Sequence, residues 1–319
     1  MSLVVARPGL LSTLQDAGRR GHALAGVGHA GPMDEVAFRL ANALVGNDGN
    51  APAIEFGLLG PVLRFERDAT VALAGAAPQA MLDGVAAPAW RPFTALRGSV
   101  LDTGRLRHGA FAYLAIAGGF ACECVLGSAA TDVNAALGPR GGRTLRAGDR
   151  LDFDAGEVPF HTHGWSLDPR PWFDPDPHRP LRAMRGTHFD ALDAASRHAL
   201  FEAEFRVRAD SNRVGLRLDG PPLALAAPRE LASEAVARGT LQLPPGGQPI
   251  ALMAEHPTTG GYPRIAQVAA VDLPRLAQRR AGQPLRFAPI DIDEAQSRYL
   301  RREHELARLC DAIRERLRR

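Results

Sequence analysis

Lysine is missing altogether: all 38 basic side chains of this 319-residue chain are arginines. The chain therefore has no Schiff-base lysine and no P-loop lysine, which excludes a Walker-type nucleotide site of its own. Aromatic residues make up only 6%, too few for an aromatic-rich helical bundle. Cysteine is scarce as well: Cys122, Cys124 and Cys310 form an odd, sparse set that suits a reducing compartment. Cys122-Glu-Cys124 is too tight for a usual zinc knuckle and has no second pair, so no metal is expected there. No stretch approaches the roughly 20 apolar residues of a membrane span, and no apolar leader opens the chain, so the expected location is cytoplasmic, without a membrane partner. Neither G-x-S-x-G nor H-E-x-x-H occurs, which removes the nucleophile elbow and the zincin helix.

What is present is glycine (33) and proline (25) in a background that is 45% hydrophobic and 23% charged. That composition is globular and favours many short strands joined by turns. The net charge of +3 is small and spread along the chain, which argues against a nucleic-acid surface.

The densest cluster of Gly, Asn, Asp and Gln runs from Thr13 to Asn47, with glycines at 18, 21, 26, 28 and 31 ahead of a helical pattern. Glycine serves where the backbone takes positive φ or is approached closely, so this stretch reads as a polar, tightly turned segment closed by a helix. It follows a short strand at Leu3–Val5. Val36, Ala37, Leu40, Ala41, Leu44 and Val45 fall on one helical face within 33–45, with Asp34 at the positive end of the helix dipole. Short apolar runs follow at 53–56, 61–65, 70–74, 99–101, 110–117 and 150–153, without intervening helices. They suggest an antiparallel barrel or sandwich. Residues 127–142 read as a surface excursion.

Six prolines between 155 and 180 mark a linker, which also carries the His161/His163 pair. Strand-like runs resume at 181–185, 205–207, 215–218, 239–243, 249–254, 265–268 and 285–288, with helices at 189–201 and 271–278. The expected architecture is mainly β: a barrel over 1–155, a linker over 156–180, a second barrel over 181–290 and a C-terminal amphipathic helix over 291–319.

Three segments are too polar and glycine-rich for ordinary turns: the opening stretch, 209–217 and 255–263. Thr258, Thr259, Gly260, Gly261 and Tyr262 offer hydroxyls, backbone N–H groups and a phenol. Arg213 is a planar fork suited to carboxylate or phosphate, and Gln15, Asn42 and Asn212 can read amide groups. Together they suggest a pocket for a small polar amide or acid. The opening stretch, with Gln15, Asp16 and Arg19, would form one wall and the other two segments the rest.

The order of motifs is itself informative. Gln15-Asp16-Ala-Gly18-Arg19, Gly31-Pro32-Met33-Asp34, Ala41-Asn42, Ser211-Asn212-Arg213, Gln242-Leu-Pro244-Pro245 and Thr258–Pro263 occur in sequence. In this the chain resembles the biotin-dependent carboxyltransferase family over about residues 3–290. The family includes the C subunit of bacterial 5-oxoprolinase, a kinase-inhibitor antagonist and a segment of urea carboxylase. One departure is Glu255 in Glu255-His256-Pro257, where many relatives carry Asp.

The resemblance implies two cyclophilin-like barrels and a function beside a kinase-inhibitor-like B subunit and, in 5-oxoprolinase, an A subunit. That assembly opens the lactam of 5-oxoproline to glutamate with ATP, which would be held at or with one of the partner proteins. In this picture Arg213 and the Gly260 and Gly261 amides hold a carboxylate or phosphoryl group. Gln15 and Asn212 orient the ring amide. Asp16 or Glu255 handles a proton, and Tyr262 completes the catalytic set. Arg19, Asn42, Thr258 and Thr259 bind substrate. Two alternatives stay open: a carboxyltransferase moving a carboxyl group from biotin to urea or a related amide, and a non-catalytic regulator of a kinase-inhibitor-like partner. With no lysine, covalent biotin would have to ride on another protein.

Overall fold

A computed structural model of the chain describes residues 2–76, 78–154, 164–174 and 176–318. The His161/His163 pair and much of the expected linker lie outside them. The chain is mainly β and divides into two units, one formed by Met1–Arg19, Ala30–Pro175 and Leu306–Arg319, the other by Arg20–His29 and Asp176–Glu305.

In the first unit, strand Ser2–Arg7 pairs antiparallel with Val62–Phe65 and Arg150–Phe153 at the centre of a seven-stranded sheet. A second sheet of five strands runs Leu11–Gln15, Ala53–Gly57, Phe111–Ile116, Ala69–Gly75, Pro92–Ala95. Strand periodicity decides which side chains meet. Ile54, Phe56, Val71, Leu73, Leu114 and Ile116 face Leu3, Val5, Leu63 and Phe65 of the other sheet in one core. The alternate positions Ala53, Ala72, Ala74, Tyr113 and Ala115 face outward. They are covered by the helix Glu35–Leu44 and by Leu306, Ile313 and Leu317 of the long C-terminal helix Ile292–Leu317. With both faces buried, Ala69–Gly75 is apolar nearly throughout rather than alternating, and every residue in it is buried. Small alanines on the outer face let the helix approach. Burying a Leu or Phe of the helix at that contact is worth about 1.5–3 kcal/mol.

Two short strand pieces at 81–82 and 85–86 and the strand Pro92–Ala95 escaped the apolar-run reading, the first two because they are too short to alternate. Thr13–Gln15, expected as turned polar chain, is the end of a strand. The predicted helix is there, N-capped by Asp34, whose carboxylate accepts the Ala37 N–H at 3.0 Å.

That helix start is anchored by a buried acid. Glu55 sits on the outer face of the five-stranded sheet, opposite Tyr113 in register. Its Oε2 accepts the Tyr113 hydroxyl at 2.6 Å and the Met33 N–H at 2.7 Å. The Tyr113 oxygen in turn accepts the Asp34 N–H at 2.7 Å. Burial first, then the Glu55 and Asp34 carboxylates, pushes the Tyr113 phenol well above its usual range, so it stays a donor.

The second unit is built on an eight-stranded sheet whose edge strands are Pro284–Leu285 and Phe287–Pro289. Only Arg286 separates them, so the sheet must curl back on itself into a nearly closed barrel. The predicted helices split into 3₁₀ turns followed by α-helices, Ala194–Glu202 and Leu273–Ala277. Asp272, fully buried, ties the barrel together by accepting the Arg182 backbone N–H at 2.8 Å and both Nε and Nη2 of Arg182 at 2.7 Å. None of the described helices is long and apolar enough to cross a membrane.

Tyr113→Phe removes two hydrogen bonds of this network, from the Asp34 N–H and to the Glu55 carboxylate. It is expected to lower stability by about 1–3 kcal/mol at unchanged denaturant m-value. Asp272→Asn should lose about 3 kcal/mol at neutral pH, since the Arg182 fork keeps its charge but loses the carboxylate that accepts two of its N–H groups. Burial pushes the Asp272 carboxyl up, but the Arg182 donors and Arg275 outweigh it and hold the carboxyl below its usual range. Its contribution is therefore present above the unfolded carboxyl pKa of about 4 and fades as pH falls toward the native value. Denaturation curves of both proteins from pH 7 downward should converge below about pH 4.

Candidate functional site

Gln15, Asp16 and Arg19 all face one segment, residues 125–131. The Asp16 Oδ1 accepts the Ser128 hydroxyl at 2.6 Å and the Gly18 N–H at 2.9 Å, and Oδ2 accepts the Ala129 N–H at 2.7 Å. Gln15 donates from Nε2 to Thr13 Oγ1 and to the Thr131 carbonyl, each at 2.9 Å. Arg19 donates to the carbonyls of Val125 and Ala130. These bonds explain why residues 128–132, expected as a surface excursion, are buried. A loop carries backbone polar groups that need partners when buried, and three polar side chains supply them here.

Two atoms in this cluster have no hydrogen-bond partner: Gln15 Oε1 and Arg19 Nη1, on side chains that are 0% and 2% exposed. An acceptor and a charged donor left open inside a buried cluster are what a ligand with one N–H and one oxyanion would satisfy. The approach of Gly31, whose Cβ position lies 3.3 Å from the Ala17 carbonyl and Gly18 Cα, holds the Gly31–Asp34 turn against this segment. Asn42 is elsewhere. It lies at the other end of the helix, its amide donating to the Ala51 carbonyl at 2.9 Å and accepting from Asn47 at 3.0 Å.

In the second unit Arg213 and Glu255 come together. Arg213 Nε donates to Glu255 Oε1 at 2.5 Å, with side chains 4% and 1% exposed. Backbone bonds reinforce the pair, with the Glu255 N–H on the Arg213 carbonyl at 2.9 Å. Asn212 is exposed, and its side chain closes an Asx turn on the Val214 N–H at 2.9 Å. Thr259–Gly260 pairs antiparallel with Glu234–Ala235, and the Thr258 carbonyl accepts the Val236 N–H at 3.1 Å. Gly260 is glycine for a local reason: a Cβ there would run into Gln242 Nε2. Gln242 is itself 5% exposed and its Nε2 has no hydrogen-bond partner. Tyr262 is 45% exposed.

Three residues were not singled out from the sequence as site candidates. Ser128 has no local motif, and its role depends on a partner 112 positions away. Gln242 was visible only as part of a motif. His256 stands next to Glu255, half-buried, with Nδ1 2.7 Å from the Pro257 carbonyl. Facing an acceptor, Nδ1 carries the proton, which leaves Nε2 as a lone-pair acceptor. Burial chiefly, with Arg238 and His29 adding to it, pulls His256 below its usual pKa and keeps the ring neutral. Cys122 is no nucleophile: burial, Cys124 and Asp16 push its thiol up to about 11.

Residues 25–289 match the family described as carboxyltransferase domain, subdomain A and B, and the chain belongs to that family. It is 39% identical to the C subunit of 5-oxoprolinase from Escherichia coli over 92% of this chain and 93% of that protein. The C subunit of 5-oxoprolinase from Haemophilus influenzae is 37% identical over the same shares. Among solved structures, the urea amidolyase of K. lactis superposes with a TM-score of 0.88 at 27% identity, over 98% of this chain but 20% of that one.

Asp16→Asn separates a scaffolding carboxylate from a proton-transfer group. The amide has one acceptor oxygen for three donors, so the variant should lose about 1–3 kcal/mol and expose the 125–131 amides to faster hydrogen exchange. Unchanged exchange in that loop would contradict the scaffolding role.

Proposed function

We propose that this chain is the C subunit of a 5-oxoprolinase, acting with its A and B subunits to open 5-oxoproline to L-glutamate at the expense of ATP. The observation that carries this reading is the likeness to 5-oxoprolinase C subunits along essentially the whole of both chains, at 37–39% identity. The likeness to urea amidolyase, which favours transfer of a carboxyl group to urea, is weaker and spans 20% of that protein.

A lactam is a stable amide, so its carbonyl must be made electrophilic before water can add. Phosphorylation of the carbonyl oxygen by ATP does this, and fixed donors then stabilise the charge that develops. This chain has no lysine for a P-loop, which speaks against a Walker-type ATP site on it and favours ATP held at or with a partner protein. Gln15 Oε1 is positioned to accept a lactam N–H, and Arg19 Nη1 to donate to a carboxylate or carbonyl oxygen. Asp16 acts by holding the 125–131 loop. In the second unit the Arg213–Glu255 pair, the Thr258, Thr259, Gly260 and Gly261 segment, Gln242 and Tyr262 form a second binding element for anionic or amide groups. His256 Nε2 is the proton acceptor there in place of Glu255, which is engaged by Arg213. Asn42 and Asn212 serve as helix-end and turn residues.

The test is ATP-dependent glutamate release from 5-oxoproline by this chain mixed with the A and B subunits. Glutamate should appear only when all three are present, and Arg19→Gln should lower kcat/KM at least about tenfold, the worth of a charged hydrogen bond. With His256 neutral above a pKa lowered from the ordinary imidazole value of about 6.5, activity should fall on the acid side only at a pH under that ordinary value, and His256→Gln should abolish that limb. No glutamate from the complete mixture would overturn the assignment.

A further inference from the structure

A pocket on the seven-stranded sheet of the first unit shares no residue with the clusters above. Four of its lining residues are arginines: Arg64 on strand Val62–Phe65, Arg67 in the turn after it, Arg97 in another turn, and Arg150 at the start of strand Arg150–Phe153. Glu66 and Asp152 also line it, so the lining carries four positive and two negative charges, net +2.

One of the two acids, Glu66, is already engaged within the pocket. The Glu66 carboxylate is engaged by the buried Ser2 hydroxyl at 2.5 Å and by Arg150. The Arg67 guanidinium lies over the Phe153 ring, 5.3 Å from its centroid. For Arg64 and Arg97, no side-chain hydrogen bond or ion pair is formed among the described residues; Arg97 is held only through its backbone N–H, which donates to Asp68 at 2.7 Å. Guanidinium groups gathered round one space repel one another unless an anion joins them.

We infer that this pocket binds the phosphate group of a small molecule. Arginines reach it from several separate segments, and a tetrahedral oxyanion can accept from several directions at once, whereas a planar carboxylate offers two oxygens in one plane. A phosphate monoester carries about −1.5 to −2 at pH 7, which matches the net charge of the lining. Glu66, held by the Ser2 hydroxyl, in turn engages Arg150 of the same lining. This inference does not depend on the proposed activity, because it concerns a separate set of residues and is tested without partner proteins or turnover.

Titration calorimetry of the full chain at low salt, with inorganic phosphate and pyrophosphate as probes and glutarate as the planar dicarboxylate control, tests it. Both phosphates should bind with one site per chain, and glutarate at least about tenfold more weakly. Arg64 and Arg97 are both exposed. The Arg64→Gln/Arg97→Gln double variant should therefore unfold at the same temperature as the parent without anion, and bind phosphate at least about tenfold more weakly. Absence of phosphate binding, equal binding by the double variant, or glutarate binding as tight as phosphate would each overturn the proposal.

Discussion

Glu55 is a carboxylate set into a sheet that is covered on both faces, where an ion without partners would be very costly. It is tolerated because Tyr113, directly across the strand pair, and the backbone N–H groups at the start of the helix Glu35–Leu44 converge on one network around it. The consequences reach outward. The fixed helix start sets the Gly31–Asp34 turn, and the turn packs closely on Ala17 and Gly18 at a glycine with positive φ. Gln15, Asp16 and Arg19 are thereby presented to residues 125–131 in one arrangement. A charge buried in the scaffold thus orders the segment that carries the first candidate binding cluster.

The same logic recurs in the second unit, where Arg213 and Glu255 neutralise each other out of solvent and Asp272 clamps Arg182. Such pairs contribute less net stability than well-packed apolar groups would, but they admit only one partner geometry. The unsatisfied atoms are then informative by contrast. Ten buried side-chain atoms among the described residues have no hydrogen-bond partner, and Gln15 Oε1, Arg19 Nη1 and Gln242 Nε2 are the three that fall in the candidate clusters.

Much of the fold was readable because its signals are local. The helix Glu35–Leu44 follows from the spacing of Val36, Leu40 and Leu44 and from Asp34 as a cap; the strands follow from apolar runs punctuated by glycine and proline. The family motifs, too, were visible as written, and the match over residues 25–289 agrees with them. What was missed is non-local. The burial of 128–132 depends on Asp16 and Arg19 more than a hundred residues away, and the pairing of Arg213 with Glu255 spans 42. Asn42 offers an amide that can read a ligand amide, yet its partners are in the loop at 47–51.

Residue types and their spacing along the chain therefore decided the class of fold, the helix Glu35–Leu44 and the longer apolar strands, the family and the absence of lysine chemistry. These depend on interactions within a few residues or on composition alone. Which polar groups are consumed as struts and which remain open was decided only when the strands came into register. Hydrogen-bond partners of a buried side chain are chosen by the neighbours that packing delivers, and sequence distance carries no record of them. Asp16 and Arg19 show the difference most clearly: close together in one motif, both tie down the same loop, but Arg19 has a buried polar atom, Nη1, without a hydrogen-bond partner and Asp16 has none.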